Sequence, residues 1–489
     1  MRTAVHSKLL VAALVAATNA AAQQPFNLDP SFQTQLIQEY VTSALVLVDG
    51  KLLVSGRMVF QGNSTFTPNA GALLNADGSR DVLFQEYPEM SGRIILFDDQ
   101  FYCSSGQTVR RLNMNGTVDQ TFIHMNAGPY FSSLQGGDYH VFSDGRVLMT
   151  GTHLLDDTTR GFVGPYRLIW FSNQGYLDTT RVHRQANGSL LAVAVDAQER
   201  ILLSGFVNSY EGQPVGRIFR ALPDGAFDPS FVSPLEPFGY SFKLQELADG
   251  RVLGVGRYKI TGQSDTLGVV RLMADGSLDP AFTSVRISMQ DGPPGLVPNV
   301  QDAHILADGR MIIGGRFDHL NGMPRGGIAM LNADGSLSEE FFTGAGCGDY
   351  TGIEVNYRYV AGIVPAPTGE YYIHGAYVGY DDGTNSYPQQ GFVSRLHGFN
   401  VGIAEHTTAP LHLQPNPTYG PLTVTLPANA QAQQAEVLDA SGRMVWSKAL
   451  GARTEQLQLD LSALSEGAYV LRLRMRAGAV RHGRFIIAK

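Results

Sequence analysis

The string DGRVLMTG at residues 144–151 combines a turn, a short apolar run and a glycine, and it recurs along the chain. Asp-Gly between apolar runs predicts a two-residue β-hairpin, because glycine accepts the positive φ that a tight primed turn demands. Seven copies follow one another at spacings of about 45 to 60 residues, a period typical of repeat architectures. Four close copies end at Gly56, Gly151, Gly256 and Gly315, and three weaker ones end at Gly106, Gly205 and Gly375.

A second string, RLMADGSLDPAF at residues 271–282, follows the first. It contains a strand, another Asp-Gly turn and an Asp-x-x-Phe ending. Each period therefore holds several short antiparallel strands joined by hairpins. Other copies end at Phe84, Phe122, Phe231 and Phe341, and a degenerate one runs over residues 174–179.

The apolar runs of the first string do not alternate with polar residues. Residues 147–149 (VLM) and 311–313 (MII) therefore predict strands that are buried on both faces. A four-stranded sheet between two similar sheets meets this requirement in a β-propeller, whereas a solenoid has shorter periods of about 20–30 residues. We predict an all-β fold with a seven-bladed β-propeller over residues 23–400.

The two ends of the repeat array complete each other. Residues 29–32 (DPSF) are a repeat ending with no strand before them, and residues 391–396 (GFVSRL) are a strand with no ending after them. We expect the two halves to form one blade. Both termini would then latch the ring, and no sheet edge would stay open.

The composition agrees with a turn-rich globular protein. The 489 residues include 55 glycines, 44% hydrophobic residues and 16% charged residues. These values exclude a mainly disordered chain, a collagen and a coiled coil. We expect the strand-ending glycines to lie where strands crowd the axis of the ring, and the low charge to reflect buried blade faces.

The first 22 residues predict a secretory signal peptide. Arg2 and Lys8 precede an apolar run over residues 9–17, and three alanines supply a cleavage site near Ala22. The run is much shorter than the roughly 20 residues of a membrane span. We therefore expect a cleaved signal and a mature protein without a transmembrane span.

The net charge of −8 averages two regions of opposite sign. Residues 23–410 carry 25 Lys and Arg against 39 Asp and Glu, a charge of −14, whereas residues 411–489 carry nine against five, a charge of +4. The acidic body argues against nucleic acid as a partner, and the basic segment is a separate module. Cys103 and Cys347 are expected as two thiols and not as a disulfide or metal site.

Both repeated strings resemble the delta-60 repeat, a bacterial β-propeller repeat. Its signature joins D-G-[KR]-[ILV]-hydrophobic-x-G to R-L-x-x-D-G-S-[LV]-D-x-x-F, and the resemblance extends over residues 27–400. The copies near Gly106 and Thr179 depart from the signature. The resemblance implies a propeller and brings no enzymatic activity with it.

A polar stretch over residues 401–410 predicts a linker to a second domain over residues 411–489. Pro415 and Pro417 exclude a helix at its start. Asp439 begins a hairpin turn, and about seven short strands predict a small Ig-like β-sandwich.

This second domain resembles the C-terminal sorting domain of proteins exported by the type IX secretion system. The resemblance implies a Gram-negative bacterium, an outer-membrane translocon that reads the domain, and machinery that removes it, with release or attachment at the cell surface. We therefore expect an extracellular or outer-membrane-surface location. A bare Ig-like accessory domain would share the strands but not the motifs. The matching sorting-signal positions include Pro415, Asn416, Pro417, Asp439, Gly442, Arg443, Gly467, Tyr469 and Lys489.

Motifs for catalysis are sparse. The sequence has no G-x-S-x-G, H-E-x-x-H or Walker pattern. His304 and His319 lie in one repeat and are expected to be structural or solvated. Residues 332–336 (NADGS) offer too few oxygen ligands for calcium and predict an ordinary turn. We expect no metal and no cofactor.

Aromatic residues in the last repeat are the ligand candidates of the sequence. Tyr371, Tyr372, Tyr377 and Tyr380 suit glycan stacking or a protein contact, although ordinary strand and loop aromatics give the same pattern. We expect a non-catalytic secreted or cell-surface propeller that binds a glycan or protein. The alternative is a secreted hydrolase or lyase acting on polysaccharide, which a carboxylate pair about 5–9 Å apart at the channel mouth would favour.

Overall fold

The computed structural model describes residues 24–62, 68–125, 130–399, 412–425, 432–439, 444–450, 456–475 and 480–488, whose regular elements are β-strands. The chain divides into two compact units, residues 1–400 and 401–489. Among the described residues, no helix has the length and apolar character needed to cross a membrane. The predicted signal peptide, 1–22, and the predicted linker, 401–410, lie outside the described residues.

Seven antiparallel sheets, here called blades, follow one another in the described part of the first unit. In each blade the second strand pairs with the first and the third, and the seven first strands line one central channel. The prediction of an all-β propeller is confirmed. The strands are Leu36–Val46, Leu52–Phe60 and Asn69–Leu74 in blade 1; Met90–Phe97, Gln100–Ser105 and Thr108–Asn113 in blade 2; Phe131–Val141, Val147–Asp157 and Phe162–Phe171 in blade 3; Leu190–Val195, Ile201–Gly205 and Ile218–Ala221 in blade 4; Tyr240–Glu246, Val252–Tyr258 and Leu267–Leu272 in blade 5; Asn299–Ile305, Met311–Arg316 and Ile328–Leu331 in blade 6; and Tyr359–Pro365, Tyr371–Asp381 and Ser386–Leu396 in blade 7.

A short fourth strand completes each blade. It follows the turn after the third strand and is held there by a single antiparallel bridge, as between Leu272 and Leu278 in blade 5. In blade 7 the bridge joins Leu396 to Leu28, near the other end of the unit. Of the two-residue strands, Gly346–Cys347 pairs with the second strand of blade 7. The others form two separate small sheets, one of Ser209–Tyr210 and Gln213–Pro214 and one of Ile287–Ser288, His319–Leu320 and Met323–Pro324.

The hydrophobic core lies between neighbouring blades. Ile312 packs with Val360 of blade 7, whereas the next residue, Ile313, packs with Leu253 of blade 5. Because successive side chains of a strand point to opposite faces, an apolar run without alternation is the pattern of a blade covered on both sides. This reading of the runs is confirmed. Both cysteines lie in such cores as free thiols, and burial raises the pKa of Cys103 and of Cys347 to about 12.

The strand glycines have a different role from the expected crowding at the ring axis. A Cβ on Gly256 would lie 2.1 Å from the carbonyl oxygen of Tyr240, and one on Gly56 would lie 2.4 Å from that of Tyr40. In each case the first strand has a bulge at this point, which brings its carbonyl against the second strand. The glycine is therefore required by the bulge. Gly106 lies in the hairpin after the second strand of blade 2, with open space where its Cβ would be.

The Asp-Gly turns form three-residue loops, and the prediction of two-residue primed turns is wrong. In the first blade Leu47 N donates to Lys51 O (2.8 Å) and Gly50 N donates to Leu47 O (3.0 Å). Gly50 has φ 82°, while Asp49 has no positive φ and accepts a bond from Lys51 N on its carboxylate. This is a type I turn followed by a glycine bulge. The requirement for glycine holds, but at the bulge position.

The second repeated string forms a buried ionic unit. Arg271 Nε donates to Asp279 (2.6 Å), and the guanidinium lies 4.5 Å from the centre of the Phe282 ring. The same guanidinium donates to the Ala333 carbonyl of the next blade (2.8 Å). The unit therefore joins the third strand, the fourth strand and the neighbouring blade. It recurs as Arg111, Asp119 and Phe122, as Arg220, Asp228 and Phe231, and as Arg395, Asp29 and Phe32.

The last of these units closes the ring, as predicted from the two ends of the array. Arg395 Nε donates to Asp29 (2.8 Å), and its Nη1 donates to the Ala76 carbonyl of blade 1 (2.7 Å). Backbone bonds from Phe26 N to His397 O and from Asp29 N to Arg395 O, each 2.8 Å, run beside it. The N-terminal segment is thus the fourth strand of blade 7.

The second unit is a two-sheet sandwich, as predicted. One sheet contains His412–Gln414, Pro421–Thr425 and Gln456–Asp460, and the other contains Met444–Ala449, Ala432–Leu438, Gly467–Met475 and Val480–Ile487. Leu422 and Leu459 of the first sheet share a core with Val437, Leu471 and Phe485 of the second. The facing apolar sides of the two sheets therefore hold this unit together.

Removal of residues 25–34 should lower the melting temperature of the propeller by many degrees, because blade 7 would lose its fourth strand and Arg395 its carboxylate. Asp29→Asn alone should cost about 2 kcal/mol, because it removes a hydrogen bond between charged groups at a partly buried site. Thermal unfolding monitored by circular dichroism measures both. Asp275→Asn, in an exposed turn, is the matched control and should stay within about 0.5 kcal/mol. An unchanged melt after the deletion would contradict the latch.

Two buried histidines should make the propeller less stable in acid. Burial lowers the pKa of His153 and of His183 to about 4, against about 6.5 in an unfolded chain. The contribution of the two neutral histidines to the free energy of unfolding is complete above pH 6.5. It is lost as the pH falls toward 4, because the unfolded chain then binds protons that the folded chain excludes. Each histidine lowers the free energy of unfolding by up to about 1.4 kcal/mol for each pH unit in this range. Urea unfolding at pH 7, 5.5 and 4.5 measures the free energy of unfolding at each pH. This free energy should fall less steeply with decreasing pH in His153→Gln/His183→Gln than in the parent protein. An equal pH dependence would refute the role of these two histidines.

Candidate functional site

The central channel of the propeller has a volume of about 980 Å3. Residues of the first strands of all seven blades line it. Its two ends differ, because the Asp-Gly turns after the first strands lie at one end and the longer connections between blades lead into the other. The side chains inside this channel and at its ends are the concave surface that a ligand could reach.

Two ion pairs bridge neighbouring blades inside the channel. Arg93 of blade 2 contacts Asp138 of blade 3 (3.1 Å), and this carboxylate raises the pKa of Arg93. Lys243 of blade 5 contacts Asp302 of blade 6 (2.6 Å). Each acid also accepts a backbone N–H from the blade that follows, Asp302 from Ile363 N at 2.8 Å. These acids connect three successive blades.

The other carboxylates among the channel-lining residues also have cationic partners. Asp196 lies 2.6 Å from Arg200, and Glu246 lies 3.2 Å from the same guanidinium. Asp196 also accepts the backbone N–H groups of residues 198 and 200. The arrangement therefore differs from the free carboxylate pair of a glycoside hydrolase, in which one acid protonates the leaving group and the other attacks or activates water.

A second cavity, here called the mouth cavity, lies at the end of the channel where the first strands begin. Its volume is about 380 Å3. Thr42, Phe242 and Gln301 line both this cavity and the channel, so the two spaces adjoin. The remaining lining residues are Tyr40, Tyr240, Asn299, Arg316, Glu354, Val355 and Tyr359.

One wall of the mouth cavity is aromatic. Tyr240 and Phe242 line this wall, and the ring of Phe206 outside the cavity extends them into a row with centroid distances of 5.0 Å between neighbours. Phe206 is 56% exposed and Phe242 is 38% exposed, unlike the core aromatics of the blades. A row of contacting, accessible rings presents flat apolar faces with polar groups beside them, which is the chemistry of sugar stacking and of protein hot spots.

The opposite wall carries polar groups with unused hydrogen-bonding capacity. Asn299 and Arg316 face each other in the first and second strands of blade 6. Asn299 is 5% exposed and its Oδ1 has no partner among the described residues; the same is true of Arg316 Nε. The Arg316 guanidinium lies 5.6 Å from the centre of the Tyr359 ring. Buried polar atoms are nearly always paired in proteins, and these two are inaccessible to solvent, so each side chain would turn toward the cavity to contact a ligand.

Glu354 brings a carboxylate to the mouth cavity, and it is already bonded. Tyr40 OH donates to it (3.3 Å), and Arg57 lies 3.4 Å away. Glu39, the neighbour of Tyr40, is buried and does not line the cavity; Ile353 N donates to its Oε1 (3.4 Å).

Three of the four tyrosines proposed from the sequence lie in the protein interior, which corrects their assignment as ligand contacts. Tyr372, Tyr377 and Tyr380 are at most 3% exposed. Tyr377 OH donates to Ser394 Oγ (2.8 Å), and Tyr380 OH donates to the Phe26 carbonyl (3.0 Å) in the closing segment. Burial raises the pKa of both phenols well above the usual range. Tyr371 is half-buried and packs its ring against Phe26.

Sequence reasoning missed the mouth cavity, although the sequence carries a signal for it. Tyr40, Tyr240 and Tyr359 each stand sixteen positions before a strand glycine, and Asn299 stands at the same offset before Gly315. An arginine follows the strand glycine in three copies, at Arg57, Arg257 and Arg316. The fold does not require an aromatic residue or an arginine at these repeat positions. Their recurrence therefore indicates a role at the channel end.

The histidine and aspartate side chains of blade 6 have structural roles. Asp291, Asp318 and His319 place ligand atoms within 4.8 Å of one another. The Asp318 carboxylate accepts backbone N–H groups from residues 290–292 and lies 2.9 Å from His319 Nδ1, so it anchors the loop that contains Asp291. His304 packs its ring against Tyr371 at 5.4 Å. In the segment 332–336 the Asp334 carboxylate accepts Ser336 N (3.0 Å), the turn that the sequence predicts.

The described sorting-signal residues gather at one end of the sandwich. Asn416, between the exposed Pro415 and Pro417, accepts Ile486 N on Oδ1 (2.9 Å). In the same sheet region Gly467 pairs with Ile487 and Tyr469 pairs with Phe485, and Asp439 follows Leu438, the partner of Val470. Residues far apart in the chain thus lie close together, with Tyr469 buried in the core beneath the exposed Asn416 and Gly467. Gly442, Arg443 and Lys489 lie outside the described residues.

Comparison with protein families gives two matches. Residues 412–488 match the model of a family described as a secretion system C-terminal sorting domain. Residues 200–231, 247–282 and 306–341 match a family described as a β-propeller domain of unknown function, DUF5122. Both resemblances predicted from the sequence, to a propeller repeat and to a type IX sorting domain, are therefore confirmed.

Solved structures resemble the chain only distantly. The extracellular domain of a hybrid two-component system from B. thetaiotaomicron is 10% identical with a TM-score of 0.42, and the alignment covers 92% of this chain and 57% of that one, less than two thirds of its length. PorZ, a surface component of the type IX secretion system of Porphyromonas gingivalis, is 12% identical with a TM-score of 0.27 and coverage of 92% and 81%. Hsv2 of Kluyveromyces marxianus is 9% identical with a TM-score of 0.34 and coverage of 85% and 100%. No curated protein sequence matches the chain.

Proposed function

We propose that this propeller, exported on its type IX sorting domain, is a non-catalytic binding protein that takes a glycan or protein ligand at the mouth cavity. The observation that supports binding is the combination of an accessible aromatic row with two unpartnered buried polar atoms in one concave site. Pockets with this mixture of apolar walls and few oriented polar groups are typical of ligand sites.

The absence of catalysis is part of the same proposal. The carboxylates that line the channel and the mouth are joined to arginine or lysine side chains, as Asp138 is to Arg93 and Glu354 is to Arg57. A hydrolase or lyase acting on polysaccharide would need an acid free to exchange a proton with the substrate. The alternative enzyme would therefore need these ion pairs to open first.

The proposed route to this function has two steps. The signal peptide is cleaved near Ala22 after crossing the inner membrane. The sorting domain then engages the type IX translocon, and processing machinery removes it, leaving the propeller released or attached at the cell surface. The proximity of Asn416, Asp439 and Gly467 at one end of the sandwich supports a single recognition surface there, with Tyr469 packed in the core below it.

The aromatic row gives a direct test of binding. Tyr240→Ala/Phe242→Ala should weaken binding of the ligand at least about 10-fold. Each lost stacking ring costs about 0.5–1.5 kcal/mol of binding free energy in addition to the loss of its buried apolar area. A glycan and surface-protein array with the mature protein identifies the ligand, and titration calorimetry measures the variants. Tyr176→Ala, which removes a 57% exposed tyrosine at an Asp-Gly-type turn, is the control and should bind as the parent does. Equal affinity of the double variant, or turnover of a bound polysaccharide, would contradict the proposal.

Export is tested in the cell that makes the protein. A chain truncated after residue 409 should accumulate in the periplasm, because the translocon no longer has a domain to read. Immunoblots of periplasmic, surface and medium fractions measure the distribution. Asn416→Ala in the full chain should reduce surface display partially, since it removes the bond to Ile486 N, and Gln434→Ala, an exposed strand position, serves as the control. Normal display of the truncated chain would refute this route.

A further inference from the structure

We propose that the ligand of the mouth cavity is a glycan with an anionic sugar, whose carboxylate or sulfate group is bound by Arg316 and whose hydroxyl groups are bound by Asn299. This inference rests on the proposed function and names the ligand class for the same site. It depends on the charge, the unused hydrogen-bonding groups and the shape of the cavity.

The arginines that follow the strand glycines differ in their ion pairs, and of Arg57, Arg257 and Arg316 it is Arg316 that lines the mouth cavity. Arg57 and Arg316 occupy the same repeat position, directly after the strand glycine. Arg57 has Glu354 at 3.4 Å, whereas Arg316 has no ion pair or hydrogen bond to the described residues and only packs on Tyr359. Arginine presents a rigid fork of donors that fits carboxylate and oxyanion groups. An anionic ligand would give Arg316 the partner that Glu354 gives Arg57.

The hydrogen-bonding groups beside Arg316 suit a sugar. Asn299 lies directly opposite Arg316 across the two strands, is 5% exposed, and has an unpartnered Oδ1. Gln301, two residues along the same strand face, also lines the cavity. An amide oxygen accepts a hydroxyl hydrogen, and a guanidinium accepts none. The pair therefore offers one acceptor and one cationic donor side by side, as an acidic sugar with neighbouring hydroxyl groups requires.

The shape favours a glycan over a protein partner. The cavity of about 380 Å3 is concave and adjoins the channel, which leaves room for further sugar residues. Tyr240 and Phe242 form the wall on which an apolar sugar face can stack. A stable protein interface buries roughly 800 Å2 on each partner, much of it on convex surface. Protein binding is therefore the outcome that would count against this ligand class.

The acidic body limits how much charge the ligand carries. Residues 23–410 have a net charge of −14, which repels a dense polyanion at long range. Arg316 provides a positive charge within this negatively charged body. Salt screens the repulsion from negative charges that lie more than roughly 8 Å from the ligand. We therefore expect a short acidic oligosaccharide to bind better than a densely sulfated polymer.

The test compares matched ligands on the mature full chain. Trigalacturonate, its methyl ester and a sulfated galactose trisaccharide are titrated by calorimetry. Trigalacturonate or the sulfated sugar should bind about 10- to 100-fold more tightly than the uncharged ester, the range for a hydrogen bond to a charged group. Arg316→Gln should remove this preference and leave the affinity for the ester unchanged, with the melting temperature confirming the fold. Arg286→Gln, at a 58% exposed arginine paired with Asp265 outside the cavity, is the control.

The outcomes separate this inference from the proposed function. Equal binding of acid and ester, or an equal loss of both in Arg316→Gln, overturns the anionic ligand while binding at the mouth stands. If a densely sulfated polymer, titrated in parallel, binds more tightly than the trisaccharides, the expectation of a short acidic oligosaccharide is overturned. If no glycan binds and a surface protein does, the ligand class is wrong. If nothing binds and Tyr240→Ala/Phe242→Ala has no effect on any ligand, the proposed function fails as well.

Discussion

The buried arginine–aspartate pair of the repeat is the interaction on which the propeller depends. In Arg271–Asp279 it holds the third and fourth strands together, and the same guanidinium reaches Ala333 of the next blade. Burying two charges is costly unless they are paired and their remaining groups are bonded. Each such blade must therefore hold its arginine, its aspartate and the neighbouring turn in one arrangement, which sets the spacing between blades. In blade 1, Lys51 supplies the cation for Asp81.

Closure of the ring and the geometry of the mouth follow from the same contact. Arg395 and Asp29 are 366 residues apart in the chain, yet they repeat the pair found inside other blades. With the ring closed, the first strands of the blades surround one channel, and the residues just before the bulges of blades 1, 5, 6 and 7, which are Tyr40, Tyr240, Asn299 and Tyr359, lie at the channel end. The mouth cavity takes its walls from blades 1, 5, 6 and 7 and from the segment leading into blade 7. It therefore exists only in the closed ring.

The fold was more predictable than the site, for a reason visible in particular residues. The Asp-Gly turns, the apolar runs and the Arg–Asp ending are local patterns, and each reports the strand that contains it. Even so, the turn type was mistaken, because the choice between a two-residue and a three-residue loop depends on pairing across the hairpin. Tyr372, Tyr377 and Tyr380 stood out in the sequence, but strand pairing in blade 7 turns them into the core.

The sequence by itself determined the repeat, the all-β class, the complementary ends of the array and the sorting domain. Each of these was recognised from short motifs whose residues are close together in the chain. Only the tertiary structure decided what the channel mouth contains. Tyr240 and Arg316 share a cavity because blades 5 and 6 are neighbours in space, and Tyr40 joins them because the last blade returns to the first. Charge pairing is likewise a tertiary property: Arg57 and Arg316 both follow a strand glycine, and Glu354, far away in the chain, forms an ion pair with Arg57.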